Sequence, residues 1–276
     1  MNRLTMIIVA VVFAAAGTAL YLWNSRQAPV QPAAPVAAAP AEPSPPVEPS
    51  IKHPIDALAS ETPAAEPLPA LAQADAQVRA ALVDLLGRES VQSFLQIDDF
   101  VRHIVATVDN LGRSHAAPRL WPVNPMLGRF GVAQIGDGTF AAPGNAERYA
   151  AFIAFIEGVD SQRALALYKR GYPLFQQAYE ELGYPGRYFN DRLVEVIDLL
   201  IATPVSTAPM ELKLTEVKGP IPSTSPWVRY EFVDPALEAL PSGQKMMLRV
   251  GPAHQQRLRA KLIEVRSQLT KPVASR

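Results

Sequence analysis

Residues 4–23, LTMIIVAVVFAAAGTALYLW, run for twenty positions without a charge. At about 1.5 Å per helical residue such a run covers roughly 30 Å, the thickness of a bilayer's hydrocarbon core. Arg3 closes one end, and Asn24, Ser25 and Arg26 close the other. Tyr21 and Trp23 stand where interfacial aromatics are expected. The sequence therefore predicts one transmembrane anchor over residues 1–27. A cleaved leader is the rival reading, because Ala14 and Ala16 have the small-residue pattern of a cleavage site. The apolar run continues through Leu20 and Leu22 without a polar break, which favours the uncleaved anchor. Arg3 and Arg26 flank the span almost evenly. Basic residues are sparse after it, so the bulk of the chain is expected outside the cytoplasm.

The next segment, 28–69, holds twelve prolines among many alanines. Proline removes a backbone donor and fixes φ, so neither helix nor sheet is favoured. Such a composition reads as a disordered linker with polyproline-like extension. At about 3.1 Å per residue it would reach at most roughly 130 Å. Its role is reach, or simply spacing.

Residues 70–272 show the periodicity of one soluble, mostly helical domain. Helices are predicted over 74–86, 90–96 and 98–111, with Gly87 ending the first, Ser90 capping the second and Asp98 and Asp99 starting the third. Phe130, then Gly136-Asp137-Gly138, then Phe140 reads as a hairpin. Asn145 is expected to cap a helix to 158, and Asp160 or Ser161 the next. That next helix carries Leu165, Tyr168, Tyr172, Phe175, Tyr179 and Leu182, with a kink or two abutting helices expected at Gly171 and Pro173. A further helix is predicted over 187–201, strands over 211–217, 227–232 and 245–250, and a long helix from Pro252 to 269. The fold class is α+β, mostly α-helical, with a small antiparallel sheet, preceded by the transmembrane helix and the disordered linker.

The segments WPVNP at 121–125, NAERY at 145–149, LYKRGYPLFQQAYEELGYP at 167–185 and GQKMMLRVGP at 243–252 resemble a bacterial family of uncharacterised envelope proteins, catalogued as domain of unknown function 3014. The resemblance covers about residues 67–270. It implies a bacterial, single-anchor placement; with the orientation expected from the flanking charges, the chain is then single-pass in the inner membrane with its C-terminal domain in the periplasm. It assigns no activity and no site residue.

Composition excludes several chemistries. Twenty-six basic and twenty-six acidic residues cancel, which argues against a bulk nucleic-acid binder. Cysteine is absent, which removes thiolate metal sites and cysteine nucleophiles. The four histidines, His53, His103, His115 and His254, have no metal-ligand spacing. No cofactor fingerprint or serine elbow occurs. Three features remain as candidates. The stripe Tyr168, Tyr172, Phe175 and Tyr179 is either a core face or a groove for sugars or peptides. With Arg148, Lys169, Arg170 and Arg187 it would bind a carboxylate or phosphate if the side chains converge. Asp191, Glu195 and Asp198 share one helix face, as a solvated stripe, arginine partners or cation ligands, with Arg192 expected on another face. Glu89-Ser90 matches a dipeptide of lytic transglycosylases without their other elements. The basic last helix is expected either to dock on the domain or to lie on anionic lipid. The expected function is therefore a non-enzymatic envelope module that binds a protein or a cell-wall component, with the membrane as its other partner. The alternative is a peptidoglycan hydrolase or lyase.

Overall fold

The computed structural model describes residues 51–55, 68–215 and 228–270. The predicted anchor and most of the predicted linker lie outside these residues. Among the described residues, no helix is long and apolar enough to cross a membrane.

Nine α-helices and four short strands follow in order among the described residues. They are α1 (Asp75–Leu86), α2 (Arg88–Phe94), α3 (Phe100–Leu111), β1 (Val132–Ile135), β2 (Gly138–Ala141), α4 (Asn145–Gly158), α5 (Ser161–Glu181) and α6 (Phe189–Ile201), then β3 (Glu211–Leu214), β4 (Tyr230–Phe232), α7 (Pro235–Glu238), α8 (Ser242–Arg249) and α9 (Pro252–Leu269). The domain is mostly helical, with one four-stranded antiparallel sheet in the order β1-β2-β3-β4. Gly87, at φ +83°, ends α1 as its spacing predicts.

The main core lies between α3, α5 and α6. Val101, Val105 and Val108 of α3 meet Tyr172, Leu174, Ala178 and Tyr179 of α5, and Phe189 and Val196 of α6. The buried residues of α3 include Phe100, Val101, Val105 and Val108, and half-buried Ile104 packs against the same core. A second cluster joins Leu212 and Phe232 of the sheet to Leu248 of α8.

Several local expectations are corrected. The segment 245–250, read as a strand, lies mostly within helix α8. Gln, Lys, Met, Leu and Arg all tolerate the helix well. Gln244, Met247 and Leu248 bury one helical side, and Gly251 at φ +87° ends the element. Helix α5 is one 21-residue helix across Pro173 and not two abutting helices. The proline sits on the exposed side between buried Tyr172 and Leu174, and that packing offsets the roughly 3 kcal/mol that an interior proline costs. Ser90 lies inside α2, whose N-cap is Gly87. Asn145 is the first residue of α4 and not its cap. Its buried amide accepts from the Gly131 N–H at 2.8 Å and donates to the Gly131 carbonyl at 2.6 Å, tying α4 to the entry of the hairpin. Asp99 stands at the N-cap of α3 with φ +51° and makes no side-chain cap, while its own N–H donates to Asp75.

The C-terminal third closes the carbonyl ends of earlier helices. Ser242 donates through its N–H to the Arg113 carbonyl and through its hydroxyl to that of Asn110, beyond α3 and at its end. Gln244 donates to the Leu199 carbonyl at the end of α6. Arg259 binds the carbonyls of Ile201 and Thr203, and Lys261 that of Val159 after α4. Cations meeting free helix carbonyls satisfy orphan acceptors and the macrodipole together. The basic helix α9 is thereby docked, with Leu262, Val265 and Leu269 packed on α6.

Gly243 marks how close α8 comes. An added Cβ would lie 2.7 Å from Leu200 Cδ2 and 3.0 Å from the Leu111 carbonyl oxygen. Gly243→Ala is expected to destabilise the domain by about 1–3 kcal/mol, as overpacking does. A lowered midpoint in urea would check this, and an unchanged midpoint would mean that α8 does not press on α3 and α6 as described.

Candidate functional site

Helix α5 begins at Asp160, whose carboxylate accepts from the N–H groups of Gln162 and Arg163. From there the helix carries its aromatic stripe inward. Tyr168 packs on Tyr172 and Phe175, at ring-centroid distances of 5.7 and 5.2 Å. Tyr172 meets Tyr188 at 5.2 Å, and Tyr179 stacks on Tyr184 at 4.6 Å. Tyr172 and Tyr179 are buried. Each such pair adds about 0.5–1.5 kcal/mol beyond the area it buries.

The stripe also starts α6. The first N–H groups of a helix have no partner within it. Here Gln176 Oε1 accepts from Phe189 N, and the Tyr172 hydroxyl accepts from Asn190 N, so α5 side chains satisfy them. Burial drives the Tyr168 and Tyr172 hydroxyls well above the ordinary value of 10.0. Both remain neutral and keep donating, Tyr168 to Asn190 Oδ1 and Tyr172 to Gln176 Oε1.

Against this corner lies a segment from the stretch read as a disordered linker. Residues 51–55, Ile-Lys-His-Pro-Ile, pack on the start of α6. Asp191 accepts the Lys52 N–H at 3.0 Å through one carboxylate oxygen and the His53 N–H at 2.7 Å through the other. Asn190 Nδ2 donates to the His53 carbonyl at 2.8 Å, and the Ile55 N–H donates to the Tyr188 hydroxyl at 2.7 Å. Ile55 is buried in the core cluster that holds Tyr172 and Phe189. The linker reading therefore does not extend over these five residues. An aliphatic side chain finds an apolar seat, and the flanking backbone donors find a carboxylate.

The expected site residues are divided by the structure. Tyr172 and Tyr179 lie buried in the core, and half-buried Tyr168 packs against it. Lys169 is half-buried and Arg170 exposed on the same helix. Arg187 is exposed before α6, and its carbonyl accepts from Gln176. Arg148 is engaged elsewhere, donating to the carbonyls of Leu127 and Gly128 and lying over the Tyr149 ring. Asp191, Glu195 and Asp198 take separate partners: the 51–55 backbone, Arg192 and Arg266. Arg192, expected on another face, bridges Glu195 and the buried Asp109. Among the described residues no group of three or more His, Asp or Glu is placed to hold a metal ion. Glu89 is exposed. A separate shallow hollow of about 350 Å³ is lined by Arg79, Gln92, Gln96, Asp98, His103 and Asn124, among others. His103 Nδ1 is buried near it without a partner.

Sequence reasoning missed Tyr188, Asn190 and the docked segment. The bonds span 133 to 139 residues, so no local periodicity reports them. The one signal was that Ile51 and Ile55 are the only isoleucines in a stretch of prolines and alanines.

Residues 100–266 match the family described as "Protein of unknown function (DUF3014)". No curated protein and no solved structure matches the chain.

Two outcomes are expected. Asp191→Ala removes two bonds to an ionised acceptor, each of the class worth about 1.5–3 kcal/mol, so the Lys52 and His53 amides should exchange on the order of tenfold faster or more. Amide hydrogen exchange by mass spectrometry reads this directly, and unchanged protection would remove the clamp. Second, the folded tyrosines hold their protons after the unfolded chain begins to lose its own. Their contribution is complete below about pH 10 and is lost as pH rises further. The urea midpoint should fall between about pH 9 and about pH 11, and fall less in Tyr168→Phe.

Proposed function

The chain belongs to the DUF3014 family, and we propose that it is a non-enzymatic module of the bacterial envelope, tethered to the inner membrane by residues 1–27 and acting in the periplasm by binding a protein or cell-wall component. The anchor reading rests on the uncharged twenty-residue run, and the reach on the proline-rich arm between that run and Ile51. The observation that carries the binding reading is the clamp at the start of α6. There the domain grips an extended chain through its main-chain groups and buries one aliphatic residue. That is a recognition geometry and involves no reactive group. The tyrosine face that a saccharide cleft would use is packed into the core, and the nearby carboxylates Asp191 and Asp109 are engaged by backbone donors and by arginines.

The reading makes three measurable statements. Full-length protein sediments with membranes and resists alkaline extraction, while a chain lacking residues 1–27 does not. A phosphatase that is active only outside the cytoplasm is active when fused to the C-terminus. The full chain, purified in detergent, captures a specific envelope protein or wall fragment and leaves purified peptidoglycan undegraded. Release of soluble fragments from peptidoglycan, lost on substituting a single carboxylate, would replace this reading with the hydrolase or lyase one.

A further inference from the structure

We propose that the corner formed by Tyr188, Asn190 and Asp191 is a binding site for an extended segment of a partner protein, and that residues 51–55 are its resident competitor. The proposal rests on the binding-module reading and specifies the ligand.

The site presents a fixed row of groups. The two Asp191 oxygens accept from consecutive N–H groups, Asn190 Nδ2 donates to the following carbonyl, and the Tyr188 hydroxyl accepts from the N–H two residues further on. The row ends in the apolar seat of Ile55. All four bonds run to main-chain atoms, so they read the extended shape and leave the side chains of Lys52 and His53 unspecified. Selectivity falls on the last position, which must be aliphatic. The residue before it donates no bond, and this makes proline suitable there. Proline also presets φ and lowers the ordering cost of an extended ligand. The ligand is therefore a peptide segment of the form x-x-Pro-aliphatic, the chemistry by which main-chain bonding supplies affinity and one pocket supplies specificity.

The site is built for an occupant. Asn190 has no exposed surface, and its amide donor is satisfied by the His53 carbonyl. With the segment withdrawn, that donor and the Asp191 carboxylate would seek replacement partners, and an incoming backbone supplies both. The resident segment is joined to Leu68 by only twelve intervening residues, 56–67. A segment on so short a tether faces its site at an effective concentration on the order of millimolar. A partner must therefore compete with it, and the free site is rationed by the chain itself.

The test uses the full chain in detergent and a fluorescent peptide of residues 49–57, PSIKHPIDA. Ile55→Asp in the chain expels the resident segment. The peptide should then bind at least about tenfold more tightly than it binds the unsubstituted chain, as the loss of a tethered competitor requires. Adding Asp191→Ala to that variant should weaken binding again by about tenfold or more, and a peptide carrying Ile55→Asp should not bind. A folded Ile55→Asp chain that binds no better than the unsubstituted one would overturn the proposal. If that substitution unfolds the domain, a protease site inserted between residues 57 and 67 opens the tether instead. The peptide must then enter after cleavage, and failure to enter overturns the proposal equally. A chain that is dimeric in detergent and monomeric with Ile55→Asp would assign the site to a second copy, also against it. Capture of an envelope partner while the peptide fails would sink this site and leave the module reading standing. Peptide binding without any envelope partner would do the reverse.

Discussion

The aromatic edge of α5 has to be buried, and the architecture around it follows from that demand. Tyr168, Tyr172, Phe175 and Tyr179 form one face of a 21-residue helix, too apolar to leave in water. Helices α3 and α6 cover it. Because tyrosines carry hydroxyls, the cover must also supply acceptors. Asn190 of α6 does so for Tyr168 while Gln176 of α5 itself accepts from Tyr172, and the hydroxyl of Tyr172 and the amide of Gln176 in turn satisfy the first N–H groups of α6. The start of α6 is held by side chains of α5, and its exposed edge is the place where residues 51–55 attach.

A second constraint comes from helix ends. Short helices leave many carbonyls without partners. In this domain the C-terminal third supplies them, with Ser242 and Gln244 of α8 and Arg259 and Lys261 of α9 reaching the ends of α3, α4 and α6. Two cations of the last helix, Arg259 and Lys261, are thereby directed at these carbonyls. The acidic residues of α6 divide in the same way, Glu195 to Arg192 and Asp198 to Arg266. Of the readings open to these charges, docking of the last helix and pairing with arginines are the ones the fold takes.

These arrangements bear on function through what they leave open. With the tyrosines inside and the carboxylates paired, the chemistry presented at the α6 corner is that of holding a peptide backbone. That corner holds residues 51–55 through four bonds to main-chain atoms and one buried aliphatic side chain.

Much of this was legible in the residues alone, because it depends on neighbours three or four positions apart. Helical periodicity located α1, α3, α4, α6 and α9, Gly87 and Asp160 marked helix boundaries, and Gly136-Asp137-Gly138 marked the hairpin turn. Where local preference was weak or outvoted, the fold decided. Residues 245–250 are amphipathic enough for either element and became helix because Met247 and Leu248 face the core together. Pro173 stayed inside a helix because buried neighbours on both sides held it there. Asn145 left its capping role for a bond pair with Gly131, fourteen residues away. The pairing of Asp191 with residues 52 and 53, across nearly 140 positions, belongs wholly to tertiary structure. Periodicity records which face of a segment avoids water, whereas the partner that covers that face is chosen by the folded chain as a whole.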